Sequence, residues 1–519
     1  MTMENEYGNT YDRLATEVEG LVKRMAPDAP EALGKLLSRA IRQIGEGDVC
    51  LVCQPEEIEL LSGWPLLCGT GSNEQRPFVL NGDRLYTRRN FCYEEAVRMR
   101  LDRMVNAGSD LPAFTPAGEL SEEQRQALQR IATRRFNILS GGPGTGKTYT
   151  IAQAIAGMQA AAANGVKVRL CAPTAKAARR LMESIGLELC RENGIEATTV
   201  HSLLGATPDL VTFRHHRDNP LDLDWLIVDE VSMLGLPMLA KLLDALPEKC
   251  SLTLAGDKDQ LASVERGSVF ADLCRRYAGA LSLLTVSRRF PPHSPVARLA
   301  TAINAGDVKG AFGELGQGAL LYVPLDELGK ESAYHTERWP EFDSLVKKGM
   351  AEFAAATTPE EAGKHLNDFR ILCALRQGPY GVEYMNSLLL SMFPDAPVPW
   401  MITRNDNELG VYNGTVVIEM PNRPQTLYLL DDQGMVMNTL SASLLPTREL
   451  AYAITVHKSQ GSEYRHVCLV LPEDGSSPIL TREILYTGIT RTKEDVSIFG
   501  GKAAVAAAVS RRIQRISGL

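Results

Sequence analysis

Several features that would place a chain in a class at once are missing here. No run of about 18 apolar residues occurs, the least a membrane-crossing helix needs, so no membrane span is expected. The opening residues, MTMENEYGNT, hold neither a basic stretch nor an apolar one, so no signal peptide is expected. There is no excess of positive charge. A net charge of -8 over 519 residues argues against a chain that coats nucleic acid by bulk electrostatics. A local basic channel remains compatible, because field lines focus in clefts whatever the total. The ten cysteines form no disulfide framework of the small secreted kind, which points to a reducing cytoplasm. Cys50 and Cys53 form a CxxC with no second pair at zinc-ribbon spacing, and Leu51 and Val52 between them read as core. Buried thiols are expected there rather than a metal or redox pair. Low-complexity tracts and short-period repeats are absent too.

What is present is an ordinary globular composition, 44% hydrophobic and 23% charged. At roughly 150 residues per domain the length implies three or four units. Residues 1–112 mix helical periodicity, from Tyr11 to Ile44, with strand-like runs such as VCLVC, and end in the Pro- and Gly-broken NAGSDLPAFTPAGELS. This reads as a mostly helical N-terminal domain. Over 113–290 short apolar runs (RFNILS, VKVRLCAP, DWLIVDE, CSLTLAGD) alternate with helical patterns, which predicts parallel strands with crossover helices in an α/β domain. The same texture returns in FRILCAL, HVCLVLP and DVSIFG, giving a second α/β domain over 291–395 and 449–519. Between its halves, 396–448 reads as short strands with Asn-Gly and Asp-Asp-Gln-Gly turns, a small β-barrel insertion.

The strongest chemical signal is ILSGGPGTGKTYT. Gly141, Gly142, Pro143, Gly144, Thr145, Gly146, Lys147 and Thr148 follow an apolar strand and precede a helical run, the context a phosphate-binding P-loop requires. The glycines let backbone N–H groups converge on phosphate oxygens, and the helix presents its positive end to the same anion. Lys147 is expected on the β and γ phosphates and Thr148 on Mg2+. In LIVDEVSM four apolar residues end in Asp229 and Glu230, which suits Asp229 to Mg2+ and Glu230 to deprotonating an attacking water. An NTP hydrolase fits this pair better than a kinase.

Further polar stretches stand in a fixed order: APTAKAARRL, TTVHSLLGATPDL, RHHRDNPLDLD, GDKDQLASVERGSVFADL, SRRF, LCALRQGPYGV, MITRNDNELGVYNG, TVHKSQGSEY and LYTGITRTKEDVSIFG. With the P-loop they resemble the superfamily 1 helicases over residues 120–500, and within them the RecD family, α subunits of the RecBCD (exonuclease V) complex. The RHHRDNPLDLD segment belongs to no generic helicase motif and points to that family.

The resemblance implies two RecA-like domains clamping one Mg·ATP, with the insertion an SH3-like barrel. It implies a 5′–3′ DNA helicase moving on single-stranded DNA at duplex ends, a cytoplasmic bacterial setting, and RecB-like and RecC-like partners in a heterotrimer, with residues 1–112 docking the RecC-like subunit. It places Gln124 at the adenine edge, Tyr149 beside the P-loop, Gln260 at the γ-phosphate, Arg289 and Arg491 as charge-stabilising arginines, Gly461 close to the nucleotide and Glu463 on the ribose. It assigns DNA contacts to Pro173, Thr174, Lys176, Thr199, His201, Arg404, Asn413, Thr455, His457, Lys458 and Ser459. Tyr149 stands where a second Thr is common, and Ala175 where Gly is frequent. The stretch from Gly267 to Arg289 is shorter than in the longest relatives, which leaves partner contacts there undetermined. There is no base-reading module and no dense Asp/Glu/Lys nuclease constellation, so the nuclease is expected in a partner chain. Two alternatives stay open: a free-standing 5′–3′ helicase, and a regulatory subunit that binds nucleotide without robust hydrolysis.

Overall fold

The computed structural model describes residues 3–71, 74–116, 118–162, 165–207, 212–263, 267–318, 320–325, 340–406, 409–431, 434–445 and 447–519, the side chains of 3–9 excepted. Parts of four motifs quoted above, 208–211, 264–266, 407–408 and 432–433, lie outside the described residues. The chain forms two compact units: 1–258 with 262–285 and 514–519, and 259–261 with 286–513. Among the described residues no helix is long and apolar enough to cross a membrane.

The first unit is built on a six-stranded sheet in the order Leu281–Leu284, Phe136–Gly141, Ser251–Gly256, Trp225–Val228, Val168–Ala172, Glu196–Thr199. Every pair is parallel. A parallel sheet covered by helices on both faces needs strands apolar throughout. Phe136–Gly141, Trp225–Val228 and Ser251–Gly256 are buried at every position, which is why they read as unbroken apolar runs. The buried Trp225 indole N–H is satisfied, Nε1 donating to Thr253 Oγ1 at 3.0 Å.

The N-terminal part contributes helices at Glu31–Gly45 and Arg88–Val105 and a small sheet ordered Cys50–Val52, Arg84–Thr87, Phe78–Asn81, Cys68–Gly69. It has one core of its own, around Leu33, Leu37, Leu61 and Leu85. A second set of its apolar residues (Val79, Val97, Leu101, Met104) shares a core with Phe136, Leu226 and Leu254 of the large sheet. Residues 514–519 pack here too: Val49 N donates to Ile516 O at 2.8 Å, and Gly518 N to the Glu94 carboxylate at 2.8 Å. Cys50 and Cys53 are buried free thiols, and burial pushes them up to about 12 and about 11. Neither is poised as the thiolate that metal ligation or redox exchange requires.

The second unit holds a five-stranded parallel sheet in the order Leu320–Pro324, Thr492–Gly500, Tyr464–Val470, Phe369–Cys373, Ala453–Thr455. The segment between Cys373 and Ala453 adds an antiparallel sheet ordered Val436–Ser441, Thr426–Leu430, Val416–Glu419, Val398–Ile402, Arg448–Leu450. Thr426–Leu430 alternates buried with half-exposed residues, the pattern of a sheet with one packed face. Arg370 lies fully inside the parallel sheet's unit with its guanidinium 5.7 Å from the Tyr464 ring, and burial lowers its pKa.

Candidate active site

In the first unit the P-loop leaves the carboxyl end of Phe136–Gly141 and opens helix Lys147–Ala161. Gly144 and Gly146 have φ of 76° and 85°, so the turn needs residues without a Cβ. A Cβ on Gly141 would meet Thr145 Oγ1 at 2.6 Å and Leu284 O at 2.7 Å. The loop is therefore closed around its own backbone, with Thr145 Oγ1 donating to Gly142 O at 2.8 Å. Lys147 Nζ donates to Gly141 O at 2.6 Å and Gly142 O at 3.2 Å, which holds its ammonium over the loop. Thr148 and Pro143 are half-buried and Tyr149 is exposed.

Gln124 is brought to this loop. Helix Glu122–Thr133 begins with a capping box in which Ser121 Oγ accepts from Gln124 N at 3.2 Å and Gln124 Oε1 accepts from Ser121 N at 3.0 Å. The pairing fixes the Gln124 amide, and a Cβ on Gly146 would sit 2.6 Å from Gln124 Nε2. Ser121 escaped notice in the sequence, although SEEQ before an apolar run is a capping-box signature.

Asp229 and Glu230 follow the strand Trp225–Val228. Asp229 N donates to Cys171 O at 2.9 Å, and Asp229 Oδ1 accepts from Glu230 N at 2.9 Å. Glu230 has φ 52°, a left-handed conformation costing a non-glycine residue on the order of 1–3 kcal/mol and common where function demands it. Burial, with the Glu230 charge beside it, pushes the Asp229 carboxyl up to about 6; the Lys147 and Arg180 charges pull the other way. Lys147 is thus close enough to Asp229 to act on its charge. Thr174 caps helix Ala175–Ile185 by accepting from Ala177 N, and Thr199 caps Val200–Leu203 by accepting from Ser202 N. Pro173 is half-buried, and Lys176 and His201 are exposed, the His201 ring 6.1 Å from Phe213.

In the second unit Gln260 is buried, and its neighbour Leu261 donates its N–H to Thr487 Oγ1 at 3.0 Å and accepts from Gln460 Nε2 at 3.0 Å. Arg289 Nη2 pairs with Glu463 Oε1 at 2.5 Å, while its buried Nη1 has no hydrogen-bond partner among the described residues. The residues expected on the γ-phosphate and the ribose are therefore joined to each other. Arg491 is buried, with Nε donating to Thr487 O at 3.2 Å and Nη1 to Ser462 O at 3.4 Å. Gly461 turns the backbone at φ 71°.

The turn after Ala453–Thr455 is less open than its composition implies. Thr455 Oγ1 accepts from Lys458 N at 3.2 Å, Ser459 is fully buried with Oγ donating to Val456 O at 2.7 Å, and His457 is half-buried. Lys458 Nζ is ion-paired with Glu449. Arg404 and Asn413 are exposed on loops of the antiparallel sheet, Asn413 N donating to Asn405 Oδ1 at 2.8 Å. Arg376 and Glu449, which the sequence did not single out, join this charged group; nothing in the local pattern marks them.

The AAA domain family matches residues 119–321, and the UvrD-like helicase C-terminal domain matches residues 450–499. The RecBCD enzyme subunit RecD of Mycolicibacterium smegmatis is 35% identical over 95% of this chain and 94% of that protein. The RecBCD enzyme subunit RecD of Haemophilus influenzae is 30% identical over 85% of this chain and 77% of that protein. The ATP-dependent RecD2 DNA helicase of Deinococcus radiodurans is 33% identical over 76% of this chain and 51% of that protein. Among solved structures, the Pif1 helicase from Bacteroides in complex with ADP-AlF3 and ssDNA aligns with a TM-score of 0.42 and 18% identity, over 74% of this chain and 92% of that one.

Proposed function

The chain belongs to the RecD family, and from that premise we propose that it is the α subunit of a RecBCD-type helicase–nuclease, driving 5′–3′ movement on single-stranded DNA at duplex ends with ATP. It is an ATP-dependent DNA helicase subunit. The observation that carries the reading is the convergence of the Lys147 loop with Asp229 and Glu230 in one sheet. The identity that runs over 94% of a RecBCD subunit supports the subunit reading over a free-standing helicase. In this reading RecB-like and RecC-like chains complete the complex, the nuclease resides in one of them, and break repair and recombination in the bacterial cytoplasm is its setting.

The residues of the first unit suit a nucleoside triphosphate: glycines at positive φ and an ammonium held over the loop. Bound Mg·ATP supplies the phosphoryl group whose transfer to water releases the free energy. The loop N–H groups and Lys147 would bind the phosphates, Thr148 and Asp229 would hold the metal, and Gln124, against the loop, would orient the base. Glu230, fixed by its backbone, takes the proton of the attacking water. Arg289, Arg491 and Gln260 neutralise or sense the developing charge. Thr174, Lys176, Thr199, His201, Arg404 and Lys458 grip the DNA backbone without reading sequence, so affinity falls as salt rises.

The test is ATPase rate with and without a single-stranded oligonucleotide, on wild type and Lys147→Gln. Stimulation by DNA that disappears in the variant, with a loss of about 10²-fold or more, is the expected result. A folded, nucleotide-binding wild type that stays unstimulated even with RecB-like and RecC-like chains added would overturn the translocase reading in favour of a regulatory subunit.

A further inference from the structure

Glu449 sits in the middle of the strand Arg448–Leu450, paired across the sheet with Met401. Both of its carboxylate oxygens are engaged by cations from other segments. Oε1 takes the Lys458 ammonium, and Oε2 takes Arg376 Nη2 at 3.0 Å. Arg376 is held from its other side, Nε donating to Glu383 Oε1 at 3.2 Å. The three central side chains are partly exposed: Glu449 23%, Lys458 29% and Arg376 35%. Lys458 starts from a fixed backbone, its N–H bonded to Thr455 Oγ1 in the short helical turn His457–Ser459. A rigid strand thus offers one bidentate anion to two cations carried on turns. Two donors converging on two oxygens of one anion is also how a phosphate is bound.

We propose that Glu449 is an internal stand-in for a nucleic-acid phosphate: it keeps Lys458 and Arg376 converged, competes with DNA for both, and makes Arg376 a second phosphate contact beside Lys458. This rests on the reading of Lys458 as a DNA contact. With Glu449 and Glu383 present, the two cations are neutralised locally. A phosphate arriving at Lys458 has to displace the carboxylate, which weakens the grip and favours release, as a stepping motor requires. The plainer account, a salt bridge tying the antiparallel sheet to the turn, predicts no gain in DNA binding when the carboxylate is neutralised. A partly exposed pair of that kind is worth little to stability.

The experiment is binding of a labelled oligothymidine to the full-length chain across a salt series, for wild type, Glu449→Gln, Glu449→Asp and a control at a distant exposed pair, Glu494→Gln. Glu449→Gln is expected to bind about fivefold tighter, its log–log salt dependence steeper by about 0.7–1.4 because one or two more phosphates are engaged. Glu449→Asp and Glu494→Gln are expected to stay near wild type, and Lys458→Met added to Glu449→Gln to abolish the gain. Wild-type binding with a Glu449→Gln variant that binds equally or more weakly, at the same slope, overturns the proposal and leaves the DNA reading standing. A folded wild type that binds nucleotide but no oligonucleotide overturns both. Where Glu449→Gln fails to fold, Arg376→Met decides: weaker binding with a shallower salt slope supports the proposal, and unchanged binding overturns it.

Discussion

In the P-loop unit the groups suited to phosphate are largely backbone: glycines at positive φ, the opening of helix Lys147–Ala161, and a Glu230 whose left-handed φ fixes its side chain's departure. In the other unit the corresponding cations are side chains already bound to carboxylates, Arg289 to Glu463 and Lys458 and Arg376 to Glu449. The first arrangement costs little reorganisation when a ligand arrives, because loop and strand ends cannot relax elsewhere. The second exchanges one anion for another, and its net gain is the difference between two ion pairs. A site of the first kind suits a group that must be held throughout a cycle. A site of the second kind suits contacts that are made and released.

The sharpest way to break this contrast is a pair of carboxylate-to-amide substitutions. Glu230→Gln keeps the shape and removes the base proposed above, so ATP turnover is expected to fall by about 10²–10⁴-fold while nucleotide binding persists. Glu463→Gln removes the partner of Arg289 and is expected to change turnover by less than about tenfold, since the guanidinium is freed rather than lost. Steady-state ATPase together with a labelled-nucleotide binding assay reads both. If Glu463→Gln proves as damaging as Glu230→Gln, the carboxylate is itself catalytic machinery and the contrast collapses.

A second comparison lies inside the first unit, between the two cores of its N-terminal part. Leu101 is fully buried in the core shared with the P-loop sheet, whereas Leu33 is fully buried in the core the N-terminal part keeps to itself. Either Leu→Ala change leaves a cavity worth about 2–5 kcal/mol. Leu101→Ala is expected to lower the unfolding midpoint of the P-loop unit and its nucleotide affinity. Leu33→Ala is expected to loosen only the N-terminal part, seen as hydrogen exchange confined there. Equal loss of nucleotide binding in both variants would mean that the two cores unfold as one.

How far these features could be read from the sequence varies with how local their causes are. The P-loop, the strand before it and the Asp229–Glu230 pair were legible because glycine spacing and an apolar run ending in acids are set within a few residues. The two parallel sheets were legible for the same reason, their strands being buried on both faces. The resemblance assigns Ser459 a DNA contact, but it is fully buried and its hydroxyl is turned back onto Val456 O within the same turn. The Arg289–Glu463 pair joins residues 174 apart, and no local pattern announces it. The shared core around Leu101 was hidden because apolar periodicity says that a helix face is covered and not what covers it.

The smallest effect expected concerns Asp229, a titratable group of the P-loop unit that burial displaces strongly. The Asp229 carboxyl is pushed up to about 6 from 3.8. For an acid raised in the folded state, the protonated form is the favoured one there. Its contribution to stability is full below pH about 3.8 and is lost as pH rises through about 6. Asp229→Asn keeps the neutral form at every pH. It is expected to raise unfolding stability at pH 7 by on the order of 1 kcal/mol and to flatten the pH dependence between about 4 and 6. The same group must be ionised to hold a divalent cation, so wild-type affinity for Mg2+ is expected to decline below pH about 6. Thermal melts across pH without metal, followed by Mg2+ titrations, separate the two effects. A variant no more stable than wild type at pH 7 would mean that the Lys147 and Arg180 charges already compensate the burial of Asp229, leaving its carboxylate without stored electrostatic strain.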